Sequence, residues 1–385
     1  MFYTERECDF CASNSLAHVY SPIRSARGME VYVCNECGLV QSFPTVPYQS
    51  RPPGSMSADA DRSSYRYTKD VISGRYEKCF AQISNFSNFK KVLDVGSNRG
   101  AFVRYLELHH PGKQITAIEP DSSITDSYSV LSNVSLQKCR FENSQLLENH
   151  YDFAYCAHTL EHANSAREML CGVRRALKPS GLFFVAVPNL IFHPDIIEEI
   201  FIDPHTYHFN FSILRDFVSQ MGFSIEYEGE PNEGDLILLL KKTDIDEADL
   251  KFVPTYRLLA QQTEDEIVVY KDNIHRNRIL LRDSAVQLNA AAAKKRIVIW
   301  GGGRIFDALV RFGGLDLSCV YRVVDKYLYR YVQELHGCKL GAPSALSGEN
   351  PDTLLVYIAS REYADEIRVE AEAFGITSFI QFGKN

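Results

Sequence analysis

A chain of 385 residues, 45% apolar and 23% charged, has the length and apolar content for two or three packed domains, which excludes a disordered or fibrous class. Its net charge is −8 with no long basic run, which argues against nucleic acid and anionic membranes as partners. The longest apolar run, residues 182–187, is far too short to span a bilayer.

Residues 1–46 hold two tight cysteine pairs, Cys8-x-x-Cys11 and Cys34-x-x-Cys37, separated by 22 residues. Two residues between thiolates let both sulfurs face one ion, and four thiolates fill a tetrahedral Zn2+ with no position left for water. The expectation is a structural zinc module, and Glu5, Glu7, Asp9, Glu30 and Glu36 make it acidic rather than nucleic-acid-binding. The other six of the ten cysteines are scattered, and the amino terminus has no basic start, apolar run or cleavage site. A reducing cytoplasm is therefore expected.

Residues 47–90 read as a linker, rich in Pro, Ser and Gly to about Ser64, followed by a lid helix from Thr68. Residues 91–242 alternate in type: strands at 91–95, 115–119, 134–137, 151–157 and 181–187, and helices at 100–109 and 166–177. That alternation predicts a parallel sheet covered on both faces. Residues 243–292 form a connector whose apolar positions from 267 to 288 recur at helical spacing. A second alternating series fills 293–385, with strands at 293–300, 320–324, 353–358 and 377–382 and a helix at 305–312. The fold class is α/β: a small zinc module, a central Rossmann-like domain and a second Rossmann-like domain at the carboxyl end.

The chemistry concentrates after the first central strand, in Asp94-x-Gly96-x-x-x-Gly100. Gly96 and Gly100 allow a ligand close to the backbone, and the helix start offers free N–H groups, with Ser97 and Asn98 between them. A phosphate loop would use Gly-x-Gly-x-x-Gly without a strand carboxylate. Asp94 instead favours an ammonium group, which S-adenosylmethionine (SAM) carries and a pyrophosphate lacks. Glu119, before Pro120 at the end of the next strand, stands where an acid accepts ribose hydroxyls. Phe141 and Glu142, after the third strand, can flank adenine.

Residues 92–100, Ile118-Glu119-Pro120, Tyr151-Asp152-Phe153, His158-Thr159-Leu160-Glu161-His162 and Leu177-Lys178-Pro179-Ser180-Gly181 follow in the order of class I SAM-dependent methyltransferases. From about 91 to 223 the chain resembles that family, departing at Ser97-Asn98, where many members have a second glycine. Cys34-x-x-Cys37-Gly38-Leu39-Val40-Gln41 is similar to the end of the zinc module of the sugar C-methyltransferases. Val323-Val324-Asp325-Lys326, Gly341, Pro343 and Ala364-Asp365-Glu366-Ile367 resemble that family's C-terminal domain. The resemblance implies SAM and structural Zn2+ as bound groups and a sugar, nucleotide-linked, as the methyl acceptor.

Methyl transfer is an in-line displacement, so the enzyme positions the acceptor and removes its proton, for which histidine suits neutral pH. The candidates are His158 and His162 after the fourth central strand, and His205 and His208 in Asp203-Pro204-His205-Thr206-Tyr207-His208. By resemblance, His205 corresponds to the histidine of the family's Glu-His pair and His162 to a second active-site histidine. Pro204 stands where the glutamate would be, so carbon and hydroxyl oxygen both remain open as acceptor atoms. The resemblance also places Tyr65 or Tyr67 near the substrate and gives Arg304 a phosphate to meet. Gly301-Gly302-Gly303, with Asp325 one strand later, resembles a dinucleotide fingerprint, but Phe306 replaces its third small residue. An NAD-dependent sugar-nucleotide oxidoreductase and a non-catalytic zinc- and SAM-binding scaffold are the rival readings.

Overall fold

Three short strands build around the cysteines in the computed structural model: β1 (Leu16–Tyr20), β2 (Glu30–Cys34) and β3 (Val40–Phe43). The residues described are 6–45, apart from 24, 26 and 27, and 80–383, apart from 82, 84, 85, 99, 122–127, 129, 130, 132, 192–195, 199, 231–233, 251–256, 331 and 362. The expected lid helix and Tyr65 and Tyr67 lie outside them. Both strand pairs are antiparallel, and Val31, Val33 and Val40 are buried.

The central series then runs β4 (Lys91–Val95), α1 (Ala101–His109), β5 (Gln114–Ile118), β6 (Val134–Gln137), β7 (Tyr151–Ala157), α2 (Ala166–Ala176) and β8 (Leu177–Pro188). Strand β9 (Tyr207–His208), helix α3 (Phe211–Gln220) and strands β10 (Phe223–Glu228) and β11 (Asp235–Lys242) follow. The sheet order is β10-β11-β8-β7-β4-β5-β6. Strands β8, β7, β4, β5 and β6 are parallel, while β11 and β10 run as an antiparallel pair at one edge. Each face carries its own core. Leu93, Val95, Ala154, Cys156, Phe183 and Val185 pack with α2 and α3. Val92, Phe153, Tyr155 and Phe184 pack with α1 on the other side. Strands buried on both faces must be apolar throughout, which is why Asp94 stands out in Lys-Val-Leu-Asp-Val.

The cysteine segment is woven into this unit. Strand β9 adds to the edge of β3, with Val40 opposite His208 and Gln41 opposite Tyr207. The Asp9 carboxylate accepts the Arg167 N–H at 2.9 Å in the first turn of α2, satisfying a donor that a helix start leaves open. The Phe10 ring lies 4.5 Å from that of Phe217 on α3. Among the described residues, 6–45, 80–194 and 200–268 accordingly group as one compact unit.

The other unit, which among the described residues comprises 196–198 and 269–383, takes most of α4 (Arg257–Ala291). It continues with β12 (Arg296–Trp300), α5 (Arg304–Ala308), β13 (Val320–Val324), β14 (Glu334–Leu335), β15 (Cys338–Gly341), β16 (Leu354–Ile358), α6 (Ala364–Ala373) and β17 (Phe379–Gln381). Its sheet order is β14-β15-β13-β12-β16-β17, parallel except for β14. The helix expected over 305–312 is shorter: α5 stops at Ala308 and residues Leu309–Gly313 form a π turn. The connector helix is longer than its apolar spacing indicated. Among the described residues no helix is long and apolar enough to cross a membrane.

Candidate functional site

Strand β4 ends in a turn that only a few residue types can make. Gly96 and Gly100 take φ of +72° and +74°, and Asn98 takes +46°. Asparagine is among the few non-glycine residues that visit this region routinely. That explains the departure at Asn98: the left-handed position is kept without glycine. A side chain on Gly96 would come within 2.0 Å of Thr159 Oγ1, and one on Gly100 would meet the Tyr128 ring at 3.0 Å. The turn is tied to β5 by Gly96 N–H and Ser97 N–H, which donate to the Ile118 carbonyl at 2.9 and 3.0 Å.

Glu119 closes the turn from the other side. Its Oε2 accepts the Asn98 N–H and its Oε1 the Asp121 N–H, both at 2.8 Å. Burial pushes its carboxyl up, and those two N–H groups pull it back. Each oxygen keeps a lone pair for a ribose hydroxyl. The Tyr128 hydroxyl donates to the carbonyl of Ser97 or of Asn98, each 3.0 Å away.

Asp94 differs from every other acid in this region. It is fully buried, and neither carboxylate oxygen has a hydrogen-bond partner among the described residues. Burial, and then the Glu119 carboxylate, push its carboxyl well above the usual range. A buried acid without a donor is a costly arrangement, and a cationic ligand at the Gly96 turn would relieve it. This orphaned acid is what the ammonium of SAM requires, so the residues present fit that cofactor.

The adenine candidates are otherwise engaged. Phe141 packs its ring over Gly172 of α2, and Glu142 Oε1 accepts the Asn164 N–H at 3.0 Å while Oε2 pairs with Arg140 at 3.1 Å. Pro120 is half-buried beside the turn.

The histidines gather at the carboxyl end of β7. His158 takes a left-handed φ of +51°, and the following 3-10 turn, Leu160–His162, places Glu161 beside two rings. Glu161 Oε1 lies 3.6 Å from His158 Nδ1 and 3.8 Å from His162 Nε2, and His158 Nε2 lies 3.5 Å from Asp235 Oδ2. Burial raises the Glu161 carboxyl, but His162, His158 and His205 outweigh it and hold the group below its ordinary value. From 43 residues away in sequence comes His205, its ring 4.9 Å from that of His162. His205 is buried, and desolvation first, then His162, lower its pKa to about 4. His208 turns elsewhere: its Nε2 lies 2.7 Å from Ser42 Oγ on β3, against the Phe201 ring.

Two hydrogen bonds through Thr206 link β3 to the turn that carries Glu161. Ser42 N–H donates to the Thr206 carbonyl, and Thr206 N–H to the Glu161 carbonyl, both at 2.8 Å. Sequence reasoning passed over Glu161, although a carboxylate three residues after one histidine and next to another was a usable signal. Nothing in the sequence pointed to Ser42.

The four cysteines converge. Cys8 and Cys37 sulfurs lie 3.5 Å apart, as do those of Cys11 and Cys34, and all four fall within 4.8 Å of one another. Zn–S bonds of about 2.3 Å arranged tetrahedrally need sulfurs under about 4 Å apart, so the set fits a closed four-thiolate ion.

In the second unit, Gly302 N–H donates to Asp325 Oδ2 at 3.0 Å, while Oδ1 accepts from Tyr327 N–H at 3.0 Å and Leu328 N–H at 2.8 Å. Asp325 is therefore a turn-closing group. Phe306 is fully buried, and its ring lies 5.6 Å from that of His336. Arg304 is exposed at the start of α5.

Residues 93–185 match the family model described as a methyltransferase domain. Over that span the chain is similar to methyltransferase domains. A curated relative, the thiol S-methyltransferase TMT1B of Rattus norvegicus, is 30% identical over 124 residues, covering 29% of this chain and 50% of that protein. The chain therefore spans about half the length of that relative. Among solved structures, an S-adenosylmethionine-dependent methyltransferase from Mesorhizobium loti is 13% identical over 45% of this chain and 99% of its own, with TM-score 0.39. Human N-acetylserotonin methyltransferase in complex with SAM is 16% identical over 50% and 60%, also with TM-score 0.39.

Proposed function

We propose that this protein transfers the methyl group of SAM to a carbon or hydroxyl oxygen of a sugar, nucleotide-linked, in polysaccharide or glycosylated-metabolite biosynthesis. The observation that carries the cofactor half is Asp94, buried at a glycine turn with both oxygens unpartnered among the described residues. The acceptor half is supported by the resemblance of the flanking segments to the sugar C-methyltransferases, and by a polar wall of His158, Glu161, His162 and Asp235 that suits a hydroxylated substrate.

When bound, SAM supplies an electrophilic methyl carbon on a sulfonium. Asp94 would hold its ammonium and Glu119 its ribose, with Gly96, Ser97, Asn98 and Gly100 forming the floor. His162 Nδ1 lies 2.8 Å from the Pro204 carbonyl. A carbonyl only accepts, so Nδ1 carries the proton and Nε2 keeps its lone pair. His162 Nε2 would take the proton that the acceptor gives up on methylation. Glu161 Oε1, 3.8 Å from that same nitrogen, would offset the positive charge of the imidazolium. His205, with a pKa lowered to about 4, stays neutral at neutral pH.

The cysteine cluster is proposed to hold structural Zn2+, and a reducing cytoplasm suits nine cysteines that form no disulfide among the described residues. A second reading, a small thiol as acceptor, is favoured by the name of the rat relative. Incubating the protein with methyl-labelled SAM, a panel of sugar nucleotides and a panel of thiols separates the two. Label on a sugar supports the proposal; label confined to thiols overturns the acceptor assignment.

A further inference from the structure

The carboxyl end of β7 brings together three metal-ligating side chains apart from the cysteine cluster. One carboxylate oxygen of Glu161 and one ring nitrogen each of His162 and His205 lie within 4.8 Å of one another. Both rings are oriented alike. Nδ1 of His162 is 2.8 Å from the Pro204 carbonyl, and Nδ1 of His205 is 2.7 Å from the Ile200 carbonyl. Each Nδ1 must donate, so each Nε2 presents a lone pair. Main-chain carbonyls commonly orient metal-binding imidazoles in this way. The third member supplies charge: Glu161 is 1% exposed, and its Oε2 is buried with no hydrogen-bond partner among the described residues.

The geometry points to a divalent-cation site formed by Glu161, His162 and His205. Two imidazoles and one carboxylate suit Zn2+, Co2+, Ni2+ or Fe2+ rather than Mg2+ or Ca2+, which prefer all-oxygen shells. Bonds of about 2.0–2.2 Å require the three ligands to close by less than about an ångström. Three protein ligands leave positions open for water or an acceptor oxygen. An ion there occupies the His162 lone pair, so ion binding and proton removal by His162 exclude each other. That consequence rests on the methyl-transfer reading above; the binding of the ion does not.

The test is the number of Zn2+ ions per chain after dialysis against Zn2+, compared among wild type, Glu161→Gln, His205→Gln and Cys34→Ser. The affinity for SAM serves as the check on folding. The expected count is two for wild type and one for each variant, with the Glu161→Gln and His205→Gln proteins binding SAM normally. Two substitutions guard against either one failing to fold. A count of one in wild type, or of two in both the glutamate and the histidine variants, overturns the site. Methyl transfer should fall at least tenfold when the second ion binds. A second ion that is lost in the variants yet leaves transfer unchanged upholds the site and overturns His162 as the base.

Discussion

The two α/β units use the same turn for different ends. In each, the first glycine after the leading strand donates its N–H to the last residue of the neighbouring strand, Gly96 to Ile118 at 2.9 Å and Gly301 to Val324 at 2.8 Å. In each, the next residue of that neighbouring strand is an acid that accepts a backbone N–H from the glycine turn: Glu119 from Asn98, Asp325 from Gly302. A strand-end carboxylate about 20 residues after a glycine turn is therefore a device for closing the turn, and does not by itself signify a ribose. The difference lies one position before the strand end. The first unit has Asp94, buried and unpartnered among the described residues; the second has Ile299, buried and apolar. Only the first turn carries a polar group in need of a ligand.

The largest test of this contrast concerns the acceptor side, which only the first unit equips with paired histidines. His162→Ala should lower kcat by about 10²–10⁴, the usual contribution of a general base, with SAM affinity unchanged in calorimetry. A normal kcat would remove His162 from the chemistry.

Next in size is the orphaned acid. Asp94→Asn should weaken SAM binding by about 10- to 100-fold, the scale of a lost charge-assisted hydrogen bond. The same substitution should raise the melting temperature of cofactor-free protein at pH 7. Its folded carboxyl titrates well above its ordinary value because of burial and Glu119. The folded state thus retains a proton that the unfolded chain has lost, and stability declines as pH rises through that window. Below the ordinary carboxylate range both states are protonated and the advantage of the asparagine variant should vanish. Equal melting temperatures at pH 7 would show that Asp94 is not left unpaired.

Asp325→Ala tests the other side of the comparison. Three backbone N–H groups lose their acceptor, which should cost about 1–3 kcal/mol in denaturant unfolding and leave SAM affinity as it was. A change in SAM affinity would overturn the purely turn-closing role. The smallest effect is expected from Ser42→Ala, which removes the contact with His208. It should cost about 0.5–1.5 kcal/mol and reduce kcat slightly through the segment that carries His205. No shift in either quantity would show that β3 does not brace that segment.

Several features were legible in the amino-acid order because they are local. The apolar strand Lys91–Val95, its glycine turn and the helix after it lie within one short stretch, and the period of the apolar residues states their type. Both parallel series were readable for the same reason. The four cysteines announced their convergence by spacing, since a metal knuckle is a property of two residues three apart.

The antiparallel pair β10–β11, helix α3 and strand β9 were not anticipated, because polar and apolar positions there do not keep one clear period. Phe223–Glu228 is largely half-buried, and Tyr207–His208 is only two residues long. Pairings across long gaps leave no local trace at all. Val40 meets His208 and His162 meets His205 only once the central sheet has folded, since each pair is joined by a long closed loop rather than by a repeat. The Asp94–Gly100 turn shows the division most clearly. Its sequence determined that a strand, a glycine turn and a helix follow one another there. Only the tertiary structure decided that Asp94 is buried without a donor while Asp325 is fully hydrogen-bonded, because burial and hydrogen-bond satisfaction depend on neighbours that the chain brings from elsewhere.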